Sequence, residues 1–130
     1  CVDRHRKDFL YLIHNYVDFV FSNESELKSL FGKNFKTSLE SLRKIVKFGA
    51  ITLGENGSII FSEDKIINIK SIEKKVIDTT GAGDLYASGV LFGLANNESL
   101  KKCGKLGSIC AGEIISHFGA RPKLKLKSML

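Results

Sequence analysis

The segment 78–84, Asp-Thr-Thr-Gly-Ala-Gly-Asp, constrains the fold of this chain more than any other stretch. It contains no bulky side chain, and the apolar residues Val76 and Ile77 precede it. A helix is predicted to follow, because apolar residues recur after Ala87 at the spacing of one helical face: Val90, Leu91, Leu94 and Ala95. The loop therefore lies at a helix N-terminus, where unpaired N–H groups and the helix dipole favour an anion.

Two glycines and an acid give this loop its chemical character. Gly81 and Gly83 allow sharp bending and close approach of a ligand. Asp84 would place a carboxylate beside the anion at the first helical turn. An acid at this position is also explained by the helix dipole alone, which favours negative charge there. The combination of an anion site and a neighbouring carboxylate is what a phosphoryl transferase needs.

Composition narrows the class of protein. With 130 residues, 43% of them hydrophobic, the chain is one domain or part of one with a real core. Its net charge of +6 suits a polyphosphate ligand. The lysine cluster Lys123, Lys125 and Lys127 has no aromatic residues among it, so a solvated basic surface is favoured over nucleic-acid binding. Because the chain begins at Cys1, we expect it to be part of a longer protein.

The cysteines and the lack of long apolar runs indicate the cellular compartment of the protein. There are 3 cysteines without metal-type spacing, so we expect a reducing cytoplasm and no zinc site. Cys103 and Cys110 lie on one face of a predicted helix and are expected in the core. We find no secretory leader and no apolar run near the roughly 18 residues of a membrane span, and we expect no membrane partner.

Helical and strand patterns alternate along the chain, which predicts an α/β layered sheet. Asn56-Gly57 is a strong hairpin signal between two of the strands. Ligands of such sheets bind beyond the carboxyl ends of the strands, so the loops 22–26, 54–57 and 78–84 are expected to converge on one edge if the strands are parallel. The predicted helices are 3–16, 24–31, 38–47, the one after the 78–84 loop, and 99–117; the predicted strands are 18–21, 50–53, 58–61 and 65–69.

Three motifs in order make the chain similar to the PfkB/ribokinase family of sugar and nucleoside kinases. The segment 78–84 resembles the second signature of that family. Asn23 and Glu26 match its N-x-x-E motif, and 52–57 matches its T-x-G-x-x-G element. The segments 1–6 and 116–122 look closest to bacterial adenosine-kinase-like members.

The resemblance implies a fold and a domain organisation. We expect a ribokinase-like, three-layer (Rossmann-like) α/β sheet flanked by helices. Because family members are considerably longer, residues 1–130 would be the C-terminal ATP-binding and catalytic portion, without the N-terminal substrate half and the lid. The acceptor-contacting residues would then lie outside this chain, and we expect the fragment alone to be inactive.

The resemblance also implies an activity: ATP-dependent phosphorylation of a hydroxyl on a nucleoside, with adenosine preferred, or on a sugar. The alternatives are a ribokinase- or fructokinase-type sugar kinase and a non-catalytic nucleotide-binding fragment. Besides ATP and the acceptor, the expected partners are a second copy in a homodimer or the missing N-terminal half, and no nucleic acid.

The resemblance also implies catalytic and binding roles for individual residues. By the resemblance, Asp84 is the catalytic base, and ATP is bound at Thr52, Gly54 and Gly57. The amides of Gly81, Ala82 and Gly83, with the Asp84 N–H, would form an anion hole. Asn23 and Glu26 would hold Mg²⁺ through water. Two simpler readings stay open, because Asn23 and Glu26 also form a capping-box pattern and the 54–57 loop also suits a plain hairpin.

A potassium site is the last implication. Five residues align with positions where relatives bind K⁺, largely through backbone carbonyls: Asp78, Thr80, Ile114, His117 and Gly119. Lys123 departs from the pattern, because ribokinase-type members often place a serine ligand there. His117 is also explained as a cation at the C-terminal end of the last helix.

Overall fold

The computed structural model describes residues 2–123 and 125, which form five helices and four strands. In chain order these are α1 (Arg6–Tyr16), β1 (Phe19–Asn23), α2 (Glu24–Phe31), α3 (Phe35–Arg43), β2 (Phe48–Thr52), β3 (Ser58–Ser62), β4 (Ile66–Ile69), α4 (Ala82–Ala95) and α5 (Leu100–Ile114). Cys1 and Lys127, both named above, lie outside the described residues.

The strands form one sheet in the order β1-β2-β3-β4. The β1–β2 pair is parallel, whereas β2–β3 and β3–β4 are antiparallel. The register places Asn23 opposite Thr52, and Thr52 opposite Ser58. The carboxyl ends of β1 and β2 and the start of β3 therefore meet at one edge of the sheet, which is where the candidate site lies.

Helices cover both faces of this sheet, and alternate strand residues serve the two faces. Ile51, Ile59 and Phe61 join a buried cluster with residues of α1, α2 and α3. Ala50 and Ile60 join a second cluster with Tyr86, Val90 and Cys103 of α4 and α5. The predicted three-layer α/β architecture is thereby confirmed.

α4 packs mainly against α5, and glycines set how closely the two helices approach. A Cβ on Gly89 would lie 2.5 Å from the Leu106 carbonyl oxygen, and one on Gly107 would lie 2.8 Å from the Tyr86 carbonyl oxygen. This contact corrects the predicted apolar face of α4. Val90 is buried as expected, but Leu91 is 50% exposed, because the buried face is the one whose glycines admit the α5 backbone.

Helix ends differ from the sequence expectation by a few residues. α3 begins at Phe35, because the Asn34 side chain accepts a hydrogen bond from the Thr37 N–H and caps the helix. It ends at Arg43, where the amides of Ile45 and Val46 both donate to the Leu42 carbonyl. α1 starts at Arg6 and α5 ends at Ile114, so both are shorter than predicted.

Two further features concern the buried cysteines and the length of the helices. Cys103 and Cys110 are buried free thiols, as predicted. Within the described residues, no helix is long and apolar enough to cross a bilayer.

Candidate functional site

A groove of about 910 Å³ opens at the sheet edge where β1, β2 and β3 meet. One wall is the β2–β3 connection, with Thr52, Gly54 and Gly57. The facing wall contains Ala82 and Gly83 at the start of α4. The predicted ATP-contacting residues and two of the predicted anion-hole residues are therefore brought together. The remaining predicted residues of the anion hole, the base and the Mg²⁺ site do not line the groove itself: Gly81, Asp84, Asn23 and Glu26. The five predicted potassium positions do not line it either.

The β2–β3 connection is a hairpin, as predicted, but its loop is longer than the Asn-Gly pair suggests. Gly54–Asn56 forms a short 3-10 turn, and the Leu53 N–H donates to the Gly57 carbonyl over 2.8 Å. Gly57 has a φ of 91°, and a Cβ there would lie 2.1 Å from the Ile69 carbonyl oxygen. Only glycine satisfies both conditions, so this wall has a fixed backbone.

At the start of α4, the backbone leaves several amides free for a ligand. Gly81 is the N-cap with a φ of 80°, and it supplies no side-chain cap. The Ala82 N–H donates to the Thr79 carbonyl over 3.1 Å, so this amide is engaged within the loop. Among the described residues, no protein group accepts from the N–H of Gly81, Gly83 or Asp84. The helix N-terminus therefore presents free donors, carried by Gly81, Gly83 and Asp84 rather than Ala82.

The Asp84 side chain is exposed and makes no hydrogen bond or ion pair within residues 2–123 and 125. Its own carbonyl accepts a hydrogen bond from the Ser88 hydroxyl, as in ordinary helical geometry. The carboxylate therefore stands at the first turn of α4, beside the free amides and open to a ligand.

Asp78 fixes the other end of the loop. Its carboxylate accepts hydrogen bonds from the Thr80 N–H at 2.9 Å and the Gly119 N–H at 3.1 Å. These bonds, with the nearby His117, hold the pKa of the Asp78 carboxyl below its usual value. The loop is thus tied to the segment that follows α5.

The predicted potassium positions lie near these hydrogen bonds of the Asp78 carboxylate. Asp78, Thr80 and Gly119 are joined by the hydrogen bonds just described. Ile114 is buried in the last turn of α5, and the carbonyl of the next residue, Ile115, accepts from the Ile77 N–H over 2.8 Å.

His117 lies close by but does not cap α5, whose C-cap is Ile115. Its Nε2 lies 3.0 Å from Oε1 of the buried Glu113. The Lys123 N–H donates to the same oxygen over 3.0 Å. The segment after α5 is therefore held to the helix through Glu113.

Asn23 and Glu26 form the capping box of α2. The Asn23 Oδ1 accepts from the Glu26 N–H at 2.8 Å, and the Glu26 Oε2 accepts from the Asn23 N–H at 3.0 Å. In the described part of the chain, no protein group binds the other carboxylate oxygen of Glu26. Glu26 is hydrogen-bonded to Asn23, which pairs with the groove residue Thr52. The free carboxylate oxygen of Glu26 suits a hydrated Mg²⁺, which keeps several waters and takes few carboxylates. The cap and a water-mediated metal contact are therefore compatible.

Sequence reasoning missed a third wall of the groove. It is formed by the segment 71–76 and by one face of α5, with Ser108, Ala111, Gly112 and Ile115. The signal was present, since these residues recur at helical spacing and the first three are small. Tyr86, which also lines the groove, was missed as well.

Comparison with known proteins gives the following matches. The family model described as pfkB family carbohydrate kinase matches residues 3–126. The structure is similar to a probable sugar kinase from Rhizobium etli, with a TM-score of 0.96 and 41% identity over 99% of this chain. It is similar to adenosine kinase from Sinorhizobium meliloti, with a TM-score of 0.95 and 40% identity over 99% of this chain.

A third similar structure is that of ribokinase from Arabidopsis thaliana complexed with ribose and ATP. It has a TM-score of 0.75 and 27% identity, and the match covers 80% of this chain and 36% of that one. The match likewise covers 40% of each of the two bacterial kinases. The chain therefore spans well under half the length of these relatives.

Proposed function

Because this chain belongs to the pfkB family of carbohydrate kinases, we propose that it is the ATP-binding and catalytic portion of a kinase that phosphorylates a hydroxyl group. The preferred acceptor is a nucleoside, adenosine in particular. A sugar is the second candidate, since the probable sugar kinase from Rhizobium etli is as similar to this chain as the adenosine kinase. The acceptor site and the lid would lie in a further part of the protein.

One observation carries this proposal: the glycine-rich 54–57 loop and the first turn of α4 line one groove large enough for a nucleotide, and that turn carries free amides and the exposed Asp84 carboxylate. The amides of Gly83 and Asp84 would donate hydrogen bonds to the oxygens of the transferring phosphoryl group and so stabilise the negative charge that develops there. Thr52, Gly54 and Gly57 would contact the phosphates from the opposite wall.

Asp84 would act as the base. Its carboxylate would orient the acceptor hydroxyl for in-line attack on the γ-phosphoryl group and take the proton as the bond to phosphorus forms. Glu26 and Asn23 would hold Mg²⁺ through water, and this ion supplies charge neutralisation on the phosphates. The junction of Asp78, Thr80, Ile114, His117 and Gly119 would hold K⁺ and steady the loop.

The decisive experiment compares the complete kinase carrying this chain with its Asp84→Asn variant. ADP release is screened against nucleosides and sugars, with and without K⁺. We expect adenosine to give the highest turnover, and we expect Asp84→Asn to lower kcat by about 10²–10⁴-fold while ATP binding is retained. Ordinary turnover in Asp84→Asn would refute the assignment of the base. ATP binding without turnover on any acceptor would favour a non-catalytic nucleotide-binding role.

A further inference from the structure

A buried hydrogen bond lies directly behind the groove. The Tyr86 hydroxyl donates to the Ser58 hydroxyl oxygen over 2.9 Å. Tyr86 is 3% exposed and Ser58 is 2% exposed, so both partners of this hydrogen bond are buried. Burial raises the pKa of the Tyr86 hydroxyl above its usual value, and the group therefore stays protonated as a donor.

Each partner adjoins one of the two proposed phosphate-binding elements. Ser58 begins β3 and directly follows Gly57, whose backbone is fixed against the Ile69 carbonyl. Tyr86 lies two residues after Asp84 on α4. The hydrogen bond thus joins the glycine-rich loop to the helix that carries the free amides.

Apart from this hydrogen bond, α4 contacts the sheet through apolar side chains, among them Val90 against Ala50 and Ile60 in the buried cluster. α4 packs mainly on α5, whereas α5 makes the larger contacts with β3 and β4. The glycines control how closely α4 and α5 approach each other. Apolar contact is not directional, however, so it does not define the position of α4 along the sheet. A hydrogen bond to Ser58 has a defined length and angle, so it fixes where the start of α4 lies relative to β3.

We propose that Tyr86 and Ser58 are positioning residues for phosphoryl transfer: their hydrogen bond sets the spacing between the Gly83–Asp84 amides and the 53–57 loop. This inference rests on the proposed kinase function. Nucleotide binding draws on the whole groove, but transfer depends on the placement of the γ-phosphoryl group. A misplacement of about 1 Å can lower a rate by about 100-fold.

The test uses the complete kinase with Tyr86→Phe, Ser58→Ala and the double variant. We expect each single variant to lower kcat by about tenfold or more with KM for ATP changed by less than about threefold, because the spacing is lost while the groove remains. Tyr86→Phe also leaves the Ser58 hydroxyl buried without a partner, which lowers the melting temperature. The double variant removes both polar groups, so its melting temperature should recover while kcat stays low.

Tyr16→Phe is the matched control, because Tyr16 is 69% exposed on α1 and far from the groove in the fold. It should leave both kcat and the melting temperature unchanged. If kcat recovers together with the melting temperature in the double variant, the pair is merely structural and the inference is wrong. The inference is also overturned if both single variants match Tyr16→Phe in kcat.

The outcome separates this inference from the function on which it rests. An unaltered protein that transfers no phosphoryl group would overturn both. An active kinase that is inactivated by Asp84→Asn but unaffected by Tyr86→Phe and Ser58→Ala would overturn the positioning role alone.

Discussion

Gly57 and Gly83 lie on opposite walls of the groove, and an added Cβ meets different surroundings at each. At Gly57 the φ is 91° and the Ile69 carbonyl oxygen would be 2.1 Å away. At Gly83 no heavy atom lies within 4 Å, and the residue has ordinary helical backbone in the first turn of α4. An alanine substitution therefore meets a steric and backbone constraint at Gly57, whereas at Gly83 it meets open space in an ordinary helix.

We predict that Gly57→Ala lowers the free energy of unfolding by about 1–3 kcal/mol or more, because it combines left-handed backbone with a steric clash. Urea unfolding of the two alanine variants measures the effect. Gly83→Ala is the control and should keep or raise stability, by up to about 1 kcal/mol, because alanine favours the helix. Equal stability of the two variants would contradict the fixed backbone at Gly57.

The role of each residue at the site was predictable only in part. Asp84 and the glycines stand out in the sequence, because a small-residue loop ahead of a helix suggests anion binding. Which amides remain free was not predictable. The bond from the Ala82 N–H to the Thr79 carbonyl depends on the path of the loop, which no spacing rule describes.

At the scale of an element, α2 shows how one pair of residues can serve two purposes. The Glu26 side chain closes the capping box, and its second oxygen is available to a hydrated metal ion. A change that keeps the cap but removes the charge separates the two roles.

We predict that Glu26→Gln raises the Mg²⁺ concentration needed for half-maximal activity of the complete kinase, because the negative charge is lost. Its amide oxygen can still accept from the Asn23 N–H, so the free energy of unfolding should change little. Glu26→Ala loses both functions and should cost about 0.3–1.5 kcal/mol. An unchanged Mg²⁺ requirement in both variants would leave Glu26 as a helix cap only.

α5 carries two thiols whose burial couples stability to pH. Burial raises the pKa of the Cys103 and Cys110 thiols above the usual value. The unfolded chain therefore loses these protons first as pH rises. The two protonated thiols therefore contribute fully to the free energy of unfolding below the ordinary thiol pKa of about 8.5. This contribution is lost as pH increases through the raised pKa values of the thiols in the folded chain.

We predict that the free energy of unfolding of this chain declines more steeply between pH 8 and pH 10 (roughly the thiol range) than that of its Cys103→Ala variant. Urea unfolding across this interval measures the two slopes. Alkylation of both thiols should also be slow in the folded chain and fast in urea. Parallel slopes would show that Cys103 ionises alike in the folded and unfolded states.

Across the whole molecule, the described residues leave apolar surface uncovered. Leu91 and Phe92 on α4 are 50% and 41% exposed, and Phe48 on β2 is 39% exposed. β1 pairs only with β2 among the described strands, so its other edge is open. Open strand edges and apolar patches favour association with another chain or another part of the same protein.

We predict that the 130-residue chain alone associates with itself and releases no ADP with adenosine and ATP. Light scattering after size exclusion, at several concentrations, measures the association. Leu91→Lys together with Phe92→Lys should reduce it without unfolding the chain, because both side chains are exposed. A monomer at every concentration would contradict the association, and adenosine-dependent ADP release would contradict the expectation that the acceptor site lies elsewhere.

The sequence by itself determined the local features of this protein. The alternation of helix and strand patterns, the hairpin at Asn56-Gly57, the cap at Asn23 and the glycine-rich loop before α4 all depend on residues close together in the chain. Short-range hydrogen bonds and backbone preferences decide such features, so pattern and spacing are sufficient to predict them.

Tertiary structure alone decided how these parts meet. The face of α4 that is buried is the one where its glycines and those of α5 allow the two helices to approach closely. Leu91 therefore remains exposed, although its spacing in the sequence favoured burial. Similarly, the Tyr86–Ser58 bond joins residues 28 positions apart. Both outcomes depend on the fit of surfaces distant in sequence, and packing geometry between such surfaces has no local signature.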